Sequence, residues 1–231
     1  MAINPFKISV SDADIEIVKL KLSLATYPDE VDFSDDWAYG APLSDVKRLA
    51  KYWQHDFDWR EQEKKLNQLP HFTTDISVDN FGDLNIHFLH QKSGKPDSIP
   101  LLFCHGCKSS SVYAFVSLVN QTLINIIGPG SFLEVVKILP LLTQSSDGPH
   151  FDVVAPSLPN FGFSDAVKKP GFGLDQYAQT IHKLMIKLGY DKYGETRVIL
   201  APKVYSLTVI CSHPGRRLGL LHHTLRGAPI S

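Results

Sequence analysis

The chain has 231 residues, with 23 Lys and Arg against 24 Asp and Glu for a formal charge of −1, and 43% of its residues are hydrophobic. This near-neutral balance argues against a nucleic-acid partner, and the apolar content excludes a wholly disordered chain, a collagen or a disulfide scaffold. Three cysteines, Cys104, Cys107 and Cys211, give one C-x-x-C spacing without a second pair to complete a zinc site, so no metal is expected. Met1-Ala2-Ile3-Asn4-Pro5-Phe6-Lys7 has no apolar stretch behind a basic start, and a cytoplasmic, reducing compartment is the expectation.

In chain order, Ser11 can cap a helix whose first turn carries Asp12 and Asp14 and whose apolar residues Ile15, Val18, Leu22 and Ala25 recur at helical spacing, ending before Pro28. Trp37-Ala38-Tyr39-Gly40-Ala41-Pro42 reads as an aromatic corner. Ser44 opens a second helix with Val46, Leu49, Ala50 and Trp53, and the charged run from Trp59 to Leu66 makes a third that closes at Pro70. Trp37, Trp53 and Trp59 are expected to pack in the core of this helical leader.

From His71 the period changes to two. Phe72 to Val78 and Leu84, Ile86 and Phe88 flank a turn at Asp79-Asn80-Phe81-Gly82-Asp83, which predicts a hairpin with one buried face. Ile99-Pro100-Leu101-Leu102-Phe103-Cys104 is continuously apolar and suits a central strand; His105-Gly106 follows it as a sharp turn able to present backbone amides. A helix over residues 131–139, a strand at Phe151-Asp152-Val153-Val154-Ala155-Pro156 and a helix over 174–188 complete an alternation that predicts a parallel α/β sheet behind a helical leader. Residues 112–127 are apolar, but Asn120, Gln121, Thr122 and Asn125 interrupt them, so no membrane span is expected. Ser164-Asp165 imitates part of a hydrolase triad without a G-x-S-x-G elbow, which makes surface capping its expected role; Asp152 reads as a loop anchor.

Several motifs resemble the microsomal-type epoxide hydrolases: Trp37-x-Tyr39-Gly40-x-Pro42, Phe57-Asp58-Trp59-Arg60, Leu66-Asn67-Gln68, Ile86-His87-Phe88, Pro156-Ser157-Leu158-Pro159-x-Phe161-Gly162-Phe163-Ser164 and Lys169-Pro170-Gly171-Phe172-Gly173. The likeness spans residues 6–193 with one break. It implies an α/β class chain, with an N-terminal helical leader followed by the first part of an α/β-hydrolase sheet that is incomplete at the C-terminus. It further implies a detoxifying enzyme without cofactor, whose partner is a small-molecule epoxide. In that family an aspartate attacks an epoxide carbon, lid tyrosines protonate the oxygen, and a histidine with a carboxylate partner activates the water that cleaves the ester.

Two departures stand out. The family turn His-Gly-Trp-Pro-Gly-Ser appears here as His105-Gly106 and Pro129-Gly130-Ser131, split by residues 107–128. Its nucleophile elbow, Gly-Gly-Asp-Trp-Gly, is absent after Leu188-Gly189-Tyr190-Asp191-Lys192-Tyr193. His105, Gly106, Pro129 and Gly130 are therefore the oxyanion-turn remnants, and no complete catalytic set can be assigned.

Both departures read as retained introns. Cys107-Lys108-Ser109 permits the splice donor T|GT-AAG-T and Ile127-Gly128 the acceptor ATA-G|GG; excising twenty whole codons and three flanking nucleotides, 63 in all, restores tryptophan and the family turn. Gly194-Glu195 and Cys211-Ser212 likewise bracket seventeen codons and four flanking nucleotides, 55 in all, whose removal restores valine and shifts the frame. One frame over, His213 to His222 is compatible with Thr-Gln-Gly-Gly-Asp-Trp-Gly-Ser-Tyr-Ile, the aspartate codon straddling Arg217 and Leu218.

The organisation expected is thus a leader with the first strands over 1–106, an intron-derived insert over 107–128, a partial hydrolase core over 129–193 and an intron-derived, frameshifted tail over 194–231. Neither 107–128 nor 194–231 should join the sheet, and the open sheet edge should invite self-association. The alternative to an enzyme fragment is a non-enzymatic binding or interaction protein built from the leader.

Overall fold

The computed structural model describes residues 2–105, 130–144, 148–197, 205–209 and 221–225. The chain divides into two compact units, Lys7–Leu69 on one hand and Met1–Phe6 with Pro70–Ser231 on the other. The leader is thus a helical unit by itself, and the strands expected to share a segment with it over 1–106 belong instead to the second unit.

The leader unit holds three helices, α1 (Asp12–Ser23), α2 (Leu43–His55) and α3 (Trp59–Leu66), with a 3₁₀ turn at Trp37–Tyr39. Ser11 caps α1 by accepting from the Asp14 amide, as its sequence position predicts, and Asp58 caps α3 through Glu61. Helix α2 begins earlier than expected: Pro42 is its N-cap, and Ser44 instead donates to Asp35. Pro42 suits that place because proline tolerates an extended ψ and needs no amide partner there.

Polar side chains tie the unit's N-terminal segment to α3. Asn67 pairs with both backbone groups of Ile8, accepting from its N–H at 2.8 Å and donating to its carbonyl at 2.9 Å. Glu63 accepts from the Val10 amide at 2.7 Å, and Arg60 bridges Glu63 and Asp12. The Val10 bond first, and then Arg60, hold the Glu63 carboxyl below its usual range despite partial desolvation. Of the three tryptophans, Trp37 and Trp53 are mainly exposed and Trp59 is half-buried with its indole N–H on Glu63, so they do not form the leader core expected of them. Sequence pattern marks a residue as apolar without naming the surface that covers it.

The second unit is built on a six-stranded sheet in the order β1-β2-β3-β5-β4-β6. Its strands are β1 (Asn4–Pro5), β2 (His71–Val78), β3 (Gly82–Gln91), β4 (Ile99–Cys104), β5 (Phe151–Pro156) and β6 (Gly194–Arg197). The β2–β3 hairpin turns on Asn80 in the left-handed region, and β4 runs parallel to both β5 and β6. Two further strands, β7 (Tyr205–Val209) and β8 (Leu221–Leu225), make a separate antiparallel pair.

Alternation sorts the sheet's side chains onto two faces. Ile76, Leu84, Ile86, Phe88, Leu102 and Val154 pack with Leu184 and Met185 of α6 (Leu174–Lys187). The opposite face carries Leu101, Phe103, Val153 and Ala155, all buried; α5 (Leu139–Thr143) packs against β5, and α4 (Leu133–Val136) packs against α5. The single helix expected over 131–139 is therefore two short ones. Pro140 lies in the first turn of α5, where its missing N–H costs nothing, and its ring would obstruct a helix continuing from α4.

Helix α6 ends on Gly189 at φ +89°, where the Gly189 and Tyr190 amides return to Ile186 and Met185 carbonyls. That positive φ explains the glycine of Leu188-Gly189-Tyr190. The chain then enters β6, and here the structure corrects an expectation: Gly194–Arg197 joins the sheet, pairing Leu101 with Gly194 through Cys104 with Arg197. Ladder bonds come from the backbone, so an exposed β4 edge accepts this segment whatever its side chains encode. Residues 107–128, with the apolar run 112–127, Cys107, Cys211, Arg217 and Leu218 lie outside the described residues. Among the described residues no helix is long and apolar enough to cross a membrane.

Candidate functional site

The site lies at the carboxyl end of β4, where ligands of open α/β sheets bind. Of the four turn residues read from sequence, His105 is buried and Gly130 half-buried; Gly106 and Pro129 lie outside the described residues. His105 Nε2 accepts from the Leu158 N–H at 3.2 Å, which assigns the ring proton to Nδ1, and the Phe161 ring meets its edge at a centroid distance of 5.2 Å. The imidazole is thus turned away from proton transfer at Nε2 and fixes the start of the turn.

Leu158 and Phe161 belong to the loop that leaves β5, and this loop explains the Pro156-to-Ser164 motif residue by residue. The Ser157 N–H donates to the His87 carbonyl at 2.8 Å, the His87 N–H donates to Ser164 Oγ at 2.9 Å, and the Ser164 hydroxyl donates to the Ser157 carbonyl at 2.7 Å. Asn85 and Asp165 exchange a second pair of bonds, at 2.9 and 2.8 Å. The loop therefore continues the β3 ladder after β5 has ended. Ser164 and Asp165, expected as surface caps, bind β3 backbone instead.

Gly162 sits at φ +53°, and a Cβ there would stand 2.5 Å from Ser157 Oγ. Gly162→Ala is expected to destabilise the folded chain by roughly 1–3 kcal/mol, read from urea unfolding, because the clash is with a side chain itself held by bonds. An unchanged midpoint would show that the loop relaxes freely.

Below the loop lies a buried histidine pair. His71 Nδ1 and His87 Nε2 are 3.1 Å apart, the rings stack at 5.2 Å, and His87 Nδ1 is 2.9 Å from Ser157 Oγ. Phe6, Phe132 and Phe163 meet the His87 ring at 5.0 to 5.2 Å. Burial first, and the charge of His71 second, push the His87 pKa down to about 3. In the sequence, Ile86-His87-Phe88 stands only as a motif; a polar residue inside a run of buried strand positions is the signal for a partnered histidine.

A second cluster, His90–Tyr190–Asp152, closes the other end of the sheet. Tyr190 Oη is 3.0 Å from His90 Nε2 and donates to Asp152 at 3.3 Å, while Asp152 accepts from Ser93 N–H and Oγ. Burial, then the Asp152 charge, raise the Tyr190 pKa to about 12. Asp152 is desolvated, but bonds from Ser93, Ser98 and Tyr190 outweigh this and hold its carboxyl low, as befits the loop anchor its position suggests.

A leader of helices, a sheet running antiparallel then parallel in this order, and a turn at the end of the strand β4 define an α/β-hydrolase with an N-terminal helical unit. The model of the epoxide hydrolase N terminus matches residues 3–114. Juvenile hormone epoxide hydrolase 2 of Ctenocephalides felis is 33% identical over 197 residues, covering 83% of this chain and 37% of that protein. Epoxide hydrolase 1 of Oryctolagus cuniculus is also 33% identical, with 83% of this chain and 38% of that protein covered. The crystal structure of juvenile hormone epoxide hydrolase from the silkworm Bombyx mori superposes with a TM-score of 0.65 at 30% identity, over 84% of this chain and 46% of that one. Residues 3–114 thus form an epoxide hydrolase N-terminal region, and over most of its length the chain is similar to epoxide hydrolases. It spans somewhat over a third of the length of the curated relatives it matches.

Proposed function

We propose that the gene encodes an epoxide hydrolase, adding water to a small-molecule epoxide to give a vicinal diol, and that the 231-residue form does not turn over. The observation that carries this is the register of β6. Leu101 pairs with Gly194 and Cys104 with Arg197. In the restored reading, valine replaces Gly194 and Thr-Gln-Gly-Gly-Asp follows it, so the aspartate falls two positions beyond Arg197. That is just past the end of β4, at the level of the turn His105 opens.

An aspartate there is within reach of an epoxide held over the turn. Its carboxylate oxygen would form a bond to an epoxide carbon as the ring C–O bond breaks, the oxygen taking a proton from an acid. Water would then attack the ester carbonyl, whose negative oxygen the turn amides would stabilise, releasing the diol and regenerating the carboxylate. Transcript sequencing across codons 107–128 and 194–212 tests the reading: spliced reads restoring both motifs are expected, and their absence overturns it.

Self-association of the 231-residue chain also belongs to this reading. Among the described residues β6, four residues long, is the last hydrogen-bonded strand of the six-stranded sheet, with β7 beside it. Size-exclusion chromatography with light scattering is expected to show oligomers of the purified chain, and a monodisperse monomer would contradict it.

A further inference from the structure

The buried histidine pair has no part in the chemistry proposed above, yet it touches both arms of the turn. Phe132, two residues after Gly130, packs edge-on against His71 at 5.3 Å and His87 at 5.1 Å. On the other arm, His87 reaches Ser157, and the next residue, Leu158, gives its N–H to His105. We infer that His87 and Ser157 are positioning residues, the His71–His87–Ser157 chain holding the 156–165 loop so that the Leu158 N–H stays on His105 Nε2. The inference rests on the reading of this turn as the oxyanion turn.

The physical grounds are threefold. Ser157 and His87 are both fully buried, so their polar atoms have no bulk water to fall back on, and losing one partner leaves the other unsatisfied. The loop's backbone bonds converge on His87 N–H and carbonyl, so a shift of this residue is transmitted to Ser157 and Ser164 together. The side chains of Phe6, Phe132 and Phe163, which also meet the His87 ring, carry no hydrogen-bond acceptor. His71, on β2, is the titratable neighbour whose charge acts on His87.

The test uses the 231-residue chain with 15N-labelled histidine and hydrogen exchange read by NMR. In the unaltered chain, His87 is expected to stay neutral from pH 8 to pH 5, and at pH 8 His105 Nε2 is expected to carry the signature of a hydrogen-bond acceptor. In Ser157→Ala, exchange of the Leu158 amide is expected to accelerate at least tenfold and the His105 Nε2 resonance to shift, with the Val154 amide of β5 unaffected. A packing role alone would slow or speed both amides together. A His87 ring that titrates near pH 6.5 without disturbing Leu158 overturns the inference, and this measurement needs no variant; so does an unchanged Leu158 amide in Ser157→Ala. None of these readouts involves turnover. A spliced product without epoxide hydrolase activity would overturn the functional reading and leave this inference standing.

Discussion

No epoxide hydrolysis above background is expected from the 231-residue chain with either an aryl or an aliphatic epoxide. Opening the ring requires a nucleophile, a proton for the departing oxygen and later an activated water, and such groups act as a unit, so the remaining parts give little when one is missing. The described structure supplies a fixed turn start at His105 and its supporting loop, and β6 ends at Arg197, before the position at which the restored frame places aspartate. Expression with the 63- and 55-nucleotide segments removed, and the restored frame followed to its own stop codon, should give a longer protein that forms vicinal diols. Replacing its elbow aspartate by alanine should lower turnover by roughly a thousandfold or more while leaving the circular dichroism spectrum unchanged. Turnover by the uncorrected chain, or by the corrected chain lacking that aspartate, would show the nucleophile to be elsewhere.

The hairpin, the central strand and the long helix were legible in the sequence because each has a single period and clear punctuation. Ile76, Ile86 and Phe88 alternate, Ile99 to Cys104 is continuously apolar, and Gly189 stops α6. What escaped was what depends on pairing across the chain. Strand β1 is two residues long and has no pattern of its own; it exists because Asn4 and Pro5 meet Thr73 and Phe72. Strand β6, Gly-Glu-Thr-Arg, has poor strand propensity and is held by the β4 edge. The site was half legible. His105 and Gly130 were named from the family turn, whereas Ser157 and His87 appeared only as motif letters and Ser164 only as a surface cap, because their roles are bonds between residues 70 and 77 positions apart. Helix α2's start was misplaced because Ser44 is a better cap by residue type than Pro42, and only the backbone geometry decides between them.

Stability is expected to fall steeply on the acid side of pH 6.5, and the buried histidines set that window. The ordinary His87 value is 6.5 and its folded value about 3, so below 6.5 the unfolded chain takes up a proton that the folded chain refuses. His87 thereby costs roughly 1.4 kcal/mol per pH unit between those limits and nothing further above 6.5. His90 acts in the same direction: burial first, then the Lys92 charge, lower its pKa against the opposing pull of Asp152. Asp152, whose carboxyl is held low, adds a loss at still lower pH, where the unfolded chain protonates first. Because a domain's whole stability is about 5–15 kcal/mol, His87 alone can remove a substantial share by pH 5. Calorimetry should show the melting temperature of the 231-residue chain dropping by roughly 3–6 °C per pH unit below 6.5 and levelling above it. Replacing His87 with glutamine should lower the melting temperature at pH 8 and flatten the acid slope. A melting temperature constant from pH 7 to pH 5 in the unaltered chain would mean that His87 accepts its proton in the folded state, and that the stacked pair with His71 opens to admit it.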